Sequence, residues 1–99
     1  MRKSTTGLSS FQRNLQQKIK TSPWFICTMK GCGYCNEAKK ILKSHHQKYR
    51  SIALTDKNSE KIWAVTDKLA KEKYRYFPMI FHKGKFFGGY TELKKKYNK

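Results

Sequence analysis

Four segments of the chain place apolar residues at intervals of three or four, which is the spacing of one face of an α-helix. Ser9 or Ser10 is suited to cap the first of these helices, and Pro23 marks its end. Asn58 or Ser59 is suited to cap the third, which is expected to end near Lys73. The four apolar stripes are, in chain order, Leu8, Phe11, Leu15 and Ile19; Cys35, Ala38, Ile41, Leu42 and His45; Ile62, Val65 and Leu69; and Tyr90, Leu93 and Tyr97.

Short apolar runs between these stripes predict four strands. They are Trp24–Thr28, Tyr49–Leu54, Pro78–His82 and Phe86–Phe87. His82 is expected to lie on the surface of its strand. A glycine turn at residues 83–85 joins the last two strands, which are therefore expected to form an antiparallel hairpin. The predicted order of elements is α-β-α-β-α-β-β-α. Strands that alternate with helices in this way indicate an α/β architecture.

Length and hydropathy limit the classes to which the protein can belong. The 99 residues accommodate one domain, and no apolar run is long enough for a transmembrane helix, so no membrane contact is expected. We expect residues 1–7 to form a flexible basic N-terminus and residues 8–99 to form a single domain. No segment resembles a secretory signal, which favours a cytoplasmic location. The acid-free N-terminal region leaves a transit peptide as the alternative.

Basic residues dominate the charge of the chain. Lysine and arginine number 23 against six aspartate and glutamate residues, a formal net charge of +17, and no acid precedes Glu37. Such a charge attracts small anions and polyanions, so contact with nucleic acid is one expectation. The chain shows no pattern of a sequence-specific nucleic-acid reader, so any such contact should be non-specific. A solvated basic surface without a dedicated partner is the alternative.

The main candidate for chemistry is a CxxC motif, Cys32-Gly33-Tyr34-Cys35, at the junction of the first strand and the second helix. A thiol at a helix N-terminus faces unpaired N–H groups and the positive end of the helix dipole. The pKa of Cys32 is therefore expected to lie below the ordinary value of about 8.5. Lys30 adds a nearby cation. Cys35 lies one turn further on, facing the core, where it can attack a mixed disulfide formed on Cys32.

A metal site is the alternative interpretation of the CxxC motif. The total of three is odd, and Cys27 on the first strand is expected to be a small buried residue. His45 and His46 follow Cys35 by ten and eleven residues, so a zinc site of two cysteines and two histidines is arithmetically allowed. Such a site would require the intervening helix to break. The strand–helix context of the motif favours redox chemistry.

Four features, in the right order between Phe11 and about Tyr97, make the chain resemble the glutaredoxin family. The CxxC motif is similar to the family's Cys-Pro-Tyr-Cys, and Tyr76-Phe77-Pro78 stands where the family has Thr-Val-Pro with a cis proline. Gly88-Gly89 matches the family's paired glycines, and Thr91-Glu92-Leu93 is similar to the segment that opens its last helix. The resemblance implies a thioredoxin-like fold, an α/β domain with a central four-stranded mixed sheet flanked by helices.

The resemblance also implies roles for individual residues. Cys32 would be the catalytic nucleophile and Cys35 the resolving thiol. Relatives bind the cysteine moiety of glutathione through the backbone before the cis proline, and its γ-glutamyl carboxylate at the start of the last helix. The family's lysine before the motif is displaced by one position here, because Met29 precedes Lys30. The implied glutathione-binding residues are Lys30, Tyr34, Arg75, Phe77, Pro78, Gly89, Thr91 and Glu92.

The resemblance extends to cofactors and activity. Glutathione is the expected co-substrate, in the reduction of glutathione mixed disulfides and of protein disulfides. No resident metal is expected, with one alternative: relatives with a small residue at the position of Gly33 can hold a [2Fe–2S] cluster between two subunits through the first cysteine, here Cys32, and glutathione. A second alternative is a thioredoxin-like electron donor, and a more distant one is a basic nucleic-acid-binding module. The expected partners of the chain, itself expected to be a monomer, are glutathionylated or disulfide-containing proteins, among them ribonucleotide reductase.

Overall fold

A computed structural model describes residues 9–97, so the predicted flexible segment at residues 1–7 and the stripe residue Leu8 lie outside the described residues. Eight elements follow one another in the predicted order α-β-α-β-α-β-β-α. The helices are α1 (Ser10–Thr21), α2 (Gly33–Ser44), α3 (Ser59–Ala70) and α4 (Tyr90–Tyr97). The strands are β1 (Trp24–Met29), β2 (Arg50–Leu54), β3 (Met79–His82) and β4 (Lys85–Gly88).

The strands form one mixed sheet in the order β2-β1-β3-β4. Strand β1 pairs with β2 in parallel, through the crossover helix α2, and with β3 in antiparallel. Strands β3 and β4 form the predicted hairpin. Lys83 and Gly84 at its tip both have positive φ angles, which is typical of the two-residue turns that match the twist of a hairpin. The α/β, thioredoxin-like prediction is confirmed.

Each face of the sheet is covered by two helices. Strand β1 is buried on both faces, and its side chains alternate between two apolar clusters. Phe25 and Cys27 pack with residues of α1 and α3, whereas Trp24 and Ile26 pack with residues of α2 and α4. No helix within residues 9–97 is long and apolar enough to cross a membrane. The sheet and its helices therefore form a three-layer domain, with α1 and α3 on one face of the sheet and α2 and α4 on the other.

Three local expectations differ from the structure. Helix α3 ends at Ala70 rather than near Lys73, because Lys71 adopts a left-handed conformation with a φ of 62°. Asn58 occupies the N-cap position of α3 but makes no capping bond; its Oδ1 instead accepts the Thr55 N–H at 2.7 Å. His82, expected on the strand surface, is half-buried, because its register opposite Trp24 stacks the two rings at 3.9 Å.

The N-terminus of α1 offers a test of the fold's local design. Ser9 Oγ accepts the Gln12 N–H at 3.2 Å, while the Gln12 side chain accepts the Ser9 N–H at 2.8 Å. Ser9→Ala should lower the free energy of unfolding by about 1 kcal/mol, since a backbone donor loses its partner. Urea denaturation measures the change. Ser10→Ala, one residue inside the helix, is the control, and an equal loss in both variants would contradict the capping role.

Candidate active site

Cys32 occupies the N-cap position of α2, directly after the turn that ends β1. Its Sγ accepts the backbone N–H of Cys35 at 3.1 Å. The turn is made by Gly31, which has a φ of 78°, and is closed by the Cys32 N–H donating to the Met29 carbonyl at 3.2 Å. Strand, turn and helix thus hold a partly exposed sulfur against the positive end of α2.

Cys35 is the buried partner of this sulfur. Its side chain is 2% exposed, on the core side of α2 as predicted, and it forms a disulfide with Cys32 across a Cα–Cα distance of 5.3 Å. The zinc alternative is wrong, because α2 runs unbroken from Gly33 to Ser44 and separates Cys35 from His45 by about 15 Å at 1.5 Å per residue. Within residues 9–97, no three metal-ligating side chains converge.

The segment before β3 lies beside the cysteine pair. Met79 is in register with Cys27 on β1, so Pro78 and Phe77 lie level with the end of β1, where the turn to Cys32 begins. The Phe77–Pro78 peptide bond is cis, as the resemblance implied. This arrangement brings together the CxxC motif and a segment more than forty residues away in the sequence.

A groove of about 550 Å³ runs from this segment to the start of α4. It collects six of the eight residues for which glutathione contacts were expected. Three further tyrosines, Tyr74, Tyr76 and Tyr90, also line it. Tyr34 lies between the two cysteines in sequence, so the groove is next to the disulfide. The lining residues are Tyr34, Tyr74, Tyr76, Phe77, Pro78, Gly89, Tyr90, Thr91 and Glu92.

The paired glycines shape the end of the groove at α4. Gly88 has a φ of 139°, and a Cβ there would lie 2.8 Å from Glu92 Cγ. Glu92 Oε1 accepts the Gly89 N–H at 2.7 Å, so the carboxylate caps the helix on which it lies. A Cβ on Gly89 would meet the Tyr74 hydroxyl and the Pro78 carbonyl oxygen. Both glycines therefore permit a close approach of backbone and side chains that any larger residue would prevent.

Two expected glutathione contacts lie outside the lining of the groove. Lys30 is exposed on the turn before Cys32. Arg75 donates two hydrogen bonds to Asp67, at 2.7 and 2.9 Å, and its guanidinium lies 4.3 Å from the centre of the Trp63 ring. The Arg75 hydrogen bond holds the pKa of Asp67 below its usual value. Arg75 is thus engaged with α3 in this structure, and its contact with glutathione stays a prediction.

Sequence reasoning found Tyr34 but missed the other three tyrosines of the groove, Tyr74, Tyr76 and Tyr90. Tyr76 is 73% exposed, and its ring contacts that of Tyr74 at 5.4 Å. Tyr90 contacts Tyr34 at 5.0 Å between ring centres. Burial, followed by the charge of Glu92, raises the pKa of Tyr74, in keeping with its place at the glycines. The alternation of Tyr74 and Tyr76 before the proline was the only signal in the sequence, and it did not indicate which wall they would form.

The third cysteine is isolated from the site. Cys27 is 1% exposed on the face of β1 that packs against α1 and α3. Burial raises the pKa of its thiol to about 12. Cys27 is therefore a core residue, as expected, and takes no part in thiol chemistry at neutral pH.

Comparison with known proteins places this site in a family. The sequence model of the glutaredoxin family matches residues 24–87, about two thirds of the chain, and the match includes the CxxC motif and the cis proline. The chain belongs to the glutaredoxin family. Membership implies thiol–disulfide oxidoreductase activity, and Cys32 and Cys35 form the disulfide of the CxxC motif. No curated protein sequence matches the chain.

Solved glutaredoxin structures share the fold. A buckwheat glutaredoxin–glutathione complex matches with a TM-score of 0.75 and 24% identity, over 97% of this chain and 86% of that chain. A mutated buckwheat glutaredoxin has a TM-score of 0.74 and 24% identity, covering 88% and 78%. The holo form of glutaredoxin C1 from Populus tremula x tremuloides has a TM-score of 0.70 and 18% identity, covering 91% and 88%. At these identities the likeness shows the thioredoxin-like fold alone.

The crowding at Gly88 predicts that a side chain at this position destabilises the fold. Gly88→Ala should displace the Glu92 side chain from the Gly89 N–H and lower the free energy of unfolding by about 1–3 kcal/mol. Gly33→Ala is the matched control, because a Cβ there meets nothing within 4 Å in a helical backbone. The control should be neutral or stabilising by up to about 1 kcal/mol. Urea denaturation measures the free energy of unfolding of both variants. Equal values for Gly88→Ala and Gly33→Ala would contradict the crowding at Gly88.

The two classes of thiol should separate by chemical labelling. In the reduced protein at neutral pH, iodoacetamide should alkylate Cys32, which is partly exposed at a helix N-terminus, and leave Cys27 unmodified, because only the thiolate reacts. Peptide mass spectrometry of the native and the urea-unfolded protein measures both sites. Labelling of native Cys27 at the rate seen after unfolding would show that its burial is wrong.

Proposed function

We propose that the protein is a glutathione-dependent thiol–disulfide oxidoreductase that reduces glutathione mixed disulfides and protein disulfides through Cys32. The observation that carries the proposal is the groove beside the CxxC pair. It joins the cis-proline segment to the first turn of α4, and it gathers Tyr34, Phe77, Gly89 and Thr91 from distant parts of the chain. The volume of about 550 Å³ suits a small peptide such as glutathione.

The environment of Cys32 supports nucleophilic attack. In the reduced protein the Cys35 N–H and the dipole of α2 stabilise a thiolate at the N-cap position. The exposed Lys30 adds positive charge on the same turn. The overall charge of +17 raises the local concentration of anionic substrates, and glutathione and glutathionylated proteins carry extra carboxylates.

The start of α4 supports binding of the γ-glutamyl end of glutathione. The first N–H groups of a helix have no partner within the helix, and they favour an anion. Glu92 satisfies the Gly89 N–H, so the N–H groups of Thr91 and Glu92 are the ones proposed to receive the γ-glutamyl carboxylate. The second carboxylate oxygen of Glu92 is proposed to accept the γ-glutamyl ammonium group, and the Phe77 backbone to pair with the cysteine moiety.

The reaction proceeds by thiol–disulfide exchange in two steps. The Cys32 thiolate attacks the glutathione sulfur of a mixed disulfide, which forms a Cys32–glutathione disulfide and releases the substrate as a thiolate. A glutathione thiolate then attacks the glutathione sulfur of that intermediate, which releases oxidised glutathione and regenerates the Cys32 thiolate. Each glutathione mixed disulfide thus consumes one free glutathione and yields one protein thiol and one molecule of oxidised glutathione.

Cys35 provides a second route for protein disulfides. After Cys32 forms a mixed disulfide with the substrate protein, the Cys35 thiolate attacks Cys32 Sγ and expels the second substrate thiolate. The product is the Cys32–Cys35 disulfide seen in this structure. Glutathione then reduces this pair in two exchanges. The short Cα–Cα distance of 5.3 Å lets the pair form without movement of α2.

The other expectations from the resemblance stay predictions. Cys32 is the one cysteine, among the described residues, that is both partly exposed and beside the groove, so a [2Fe–2S] cluster would need ligands from glutathione and from a second subunit. Glutathionylated or disulfide-containing proteins, ribonucleotide reductase among them, are proposed as substrates. The cytoplasmic location and the monomeric state are proposed on the sequence reasoning alone.

Single cysteine variants test the mechanism. In a glutathione-coupled assay with a small glutathionylated thiol, Cys32→Ser should abolish turnover, because no thiolate remains at the N-cap. Cys35→Ser should retain deglutathionylation and lose the resolving step for protein disulfides. Cys27→Ser is the control for loss of any cysteine and should retain both activities. Loss of deglutathionylation in Cys35→Ser would overturn the two-step route, and wild-type inactivity would overturn glutathione dependence.

A further inference from the structure

Helices α2 and α4 form an outer surface that contains neither cysteine of the disulfide. We call this surface the α2–α4 face and define it by Ile41 and His45 from the α2 side and by Tyr90, Lys94 and Tyr97 from α4. These five residues line a cavity of about 210 Å³. Tyr90 also lines the groove beside Cys32, so the cavity and the groove are neighbours along α4.

Aromatic rings stand at both ends of the cavity. Tyr90 and Tyr97 are seven residues apart on one helix, which separates them by two turns, or about 10.5 Å. The His45 ring stacks on Tyr97 at 4.3 Å with an interplanar angle of 30°. Ile41 supplies an apolar side wall. The cavity between the tyrosines, which we call the slot, is therefore lined by three rings, the Ile41 side chain and Lys94.

Cations surround this slot. The Lys94 ammonium lies 6.0 Å from the centre of the Tyr90 ring, and that of Lys96 lies 5.7 Å from the centre of the Tyr97 ring. The two acids of α2 and α4 are both engaged, since Glu37 pairs with Lys40 and Glu92 caps α4. Beyond those acids, both helices continue toward their C-termini with lysines and no acid: Lys39, Lys40, Lys43, Lys94, Lys95 and Lys96.

We propose that the α2–α4 face binds single-stranded nucleic acid, with one base in the slot between Tyr90 and Tyr97 and the adjacent phosphates on the lysines of α4. Accessible faces of aromatic rings stack bases of any sequence, and lysines beside them neutralise the backbone. Tyr90 and Tyr97 are half-buried, and both line the slot. The bases of a duplex are already stacked, so only a single strand can fill the slot. An acidic peptide fits less well, because carboxylates gain nothing from the negative faces of tyrosine rings.

This binding is independent of thiol exchange. The residues of the slot are separate from Cys32 and Cys35, so Cys32→Ser should bind nucleic acid as the wild type does. The slot shares only Tyr90 with the groove. Failure of the binding assay would therefore leave the proposed oxidoreductase activity unaffected, and failure of the activity assay would leave the binding proposal unaffected.

A charge-matched pair of variants tests where the strand binds. The probe is a fluorescein-labelled oligothymidylate of about 12 nucleotides, followed by anisotropy at several salt concentrations. Two variants each replace three lysines by glutamine, so both lower the net charge equally. The first removes the α4 lysines, and the second removes lysines from the opposite side of the sheet. The α4 variant is Lys94→Gln/Lys95→Gln/Lys96→Gln, and the opposite variant is Lys18→Gln/Lys20→Gln/Lys61→Gln.

The expected result is a local effect. The α4 variant should bind about tenfold more weakly, with a salt slope reduced by about 2, because three phosphate contacts are lost at about 0.7 each. The opposite variant should lose no more than about threefold, since salt screens charges beyond about 8 Å. Equal losses would show that only net charge matters and would overturn the proposal. Displacement of the probe by polyglutamate at the same charge concentration as by oligothymidylate would overturn it too.

A variant at constant charge tests the base slot. Tyr97→Leu keeps apolar volume at the slot and removes the ring, so it should weaken single-strand binding about fivefold and leave duplex binding unchanged. Retained thiol-exchange activity verifies that the variant is folded. An unchanged affinity for the single strand would overturn the slot. Should the variant fail to fold, ultraviolet crosslinking of the wild type decides: crosslinks at Tyr90 or Tyr97 support the slot, and crosslinks confined to Phe11 or Trp63 contradict it.

Discussion

The site depends on one junction, the passage from the buried strand β1 to the N-terminus of α2. Strand β1 is covered on both faces, so its end has a fixed position, and the turn at Gly31 sets Cys32 at the N-cap. The sulfur then takes the place of an ordinary capping side chain and accepts the Cys35 N–H. A thiolate is the better acceptor, so the packing that orders the junction also favours the reactive form of the thiol.

The rest of the site follows from what is packed against that junction. Because β3 is antiparallel to β1, the segment that enters β3 must lie at the end of β1 where Cys32 emerges. Because β4 returns antiparallel to β3, α4 must begin at the same end. The sheet order therefore brings Pro78 and Gly89 to one groove, although ten residues of hairpin separate them in sequence. The glycines leave room for that approach, since a side chain at either position would meet Glu92 or Tyr74.

The sequence predicted the parts of the protein that rest on local rules. The helical segments, the strand–helix position of Cys32 and the glycine turn each depend on a few neighbouring residues, and all appear in the structure. The stripes are confirmed in part, since Phe11 is 38% exposed. The contacts it missed depend on register or on competition between partners. The position of Arg75 three residues before Pro78 predicted that it lies near the groove. Its pairing with Asp67 was not predicted, because the bend of the chain after α3 decides which acid it reaches. His82 was misplaced for the same reason, since only the pairing of β3 with β1 brings it onto Trp24.

Helices α2 and α4 carry lysines near their C-terminal ends. A cation near a helix C-terminus stabilises the helix dipole, and this accounts for Lys43 in α2 and for one or two lysines at the end of α4. The benefit falls off within one turn, whereas like charges at successive positions repel each other and oppose folding. Three consecutive lysines in α4, whose single acid Glu92 is engaged in capping the helix, exceed what the dipole requires. A bound polyanion would relieve this repulsion, and the aromatic rings between the lysines favour one whose units carry flat bases.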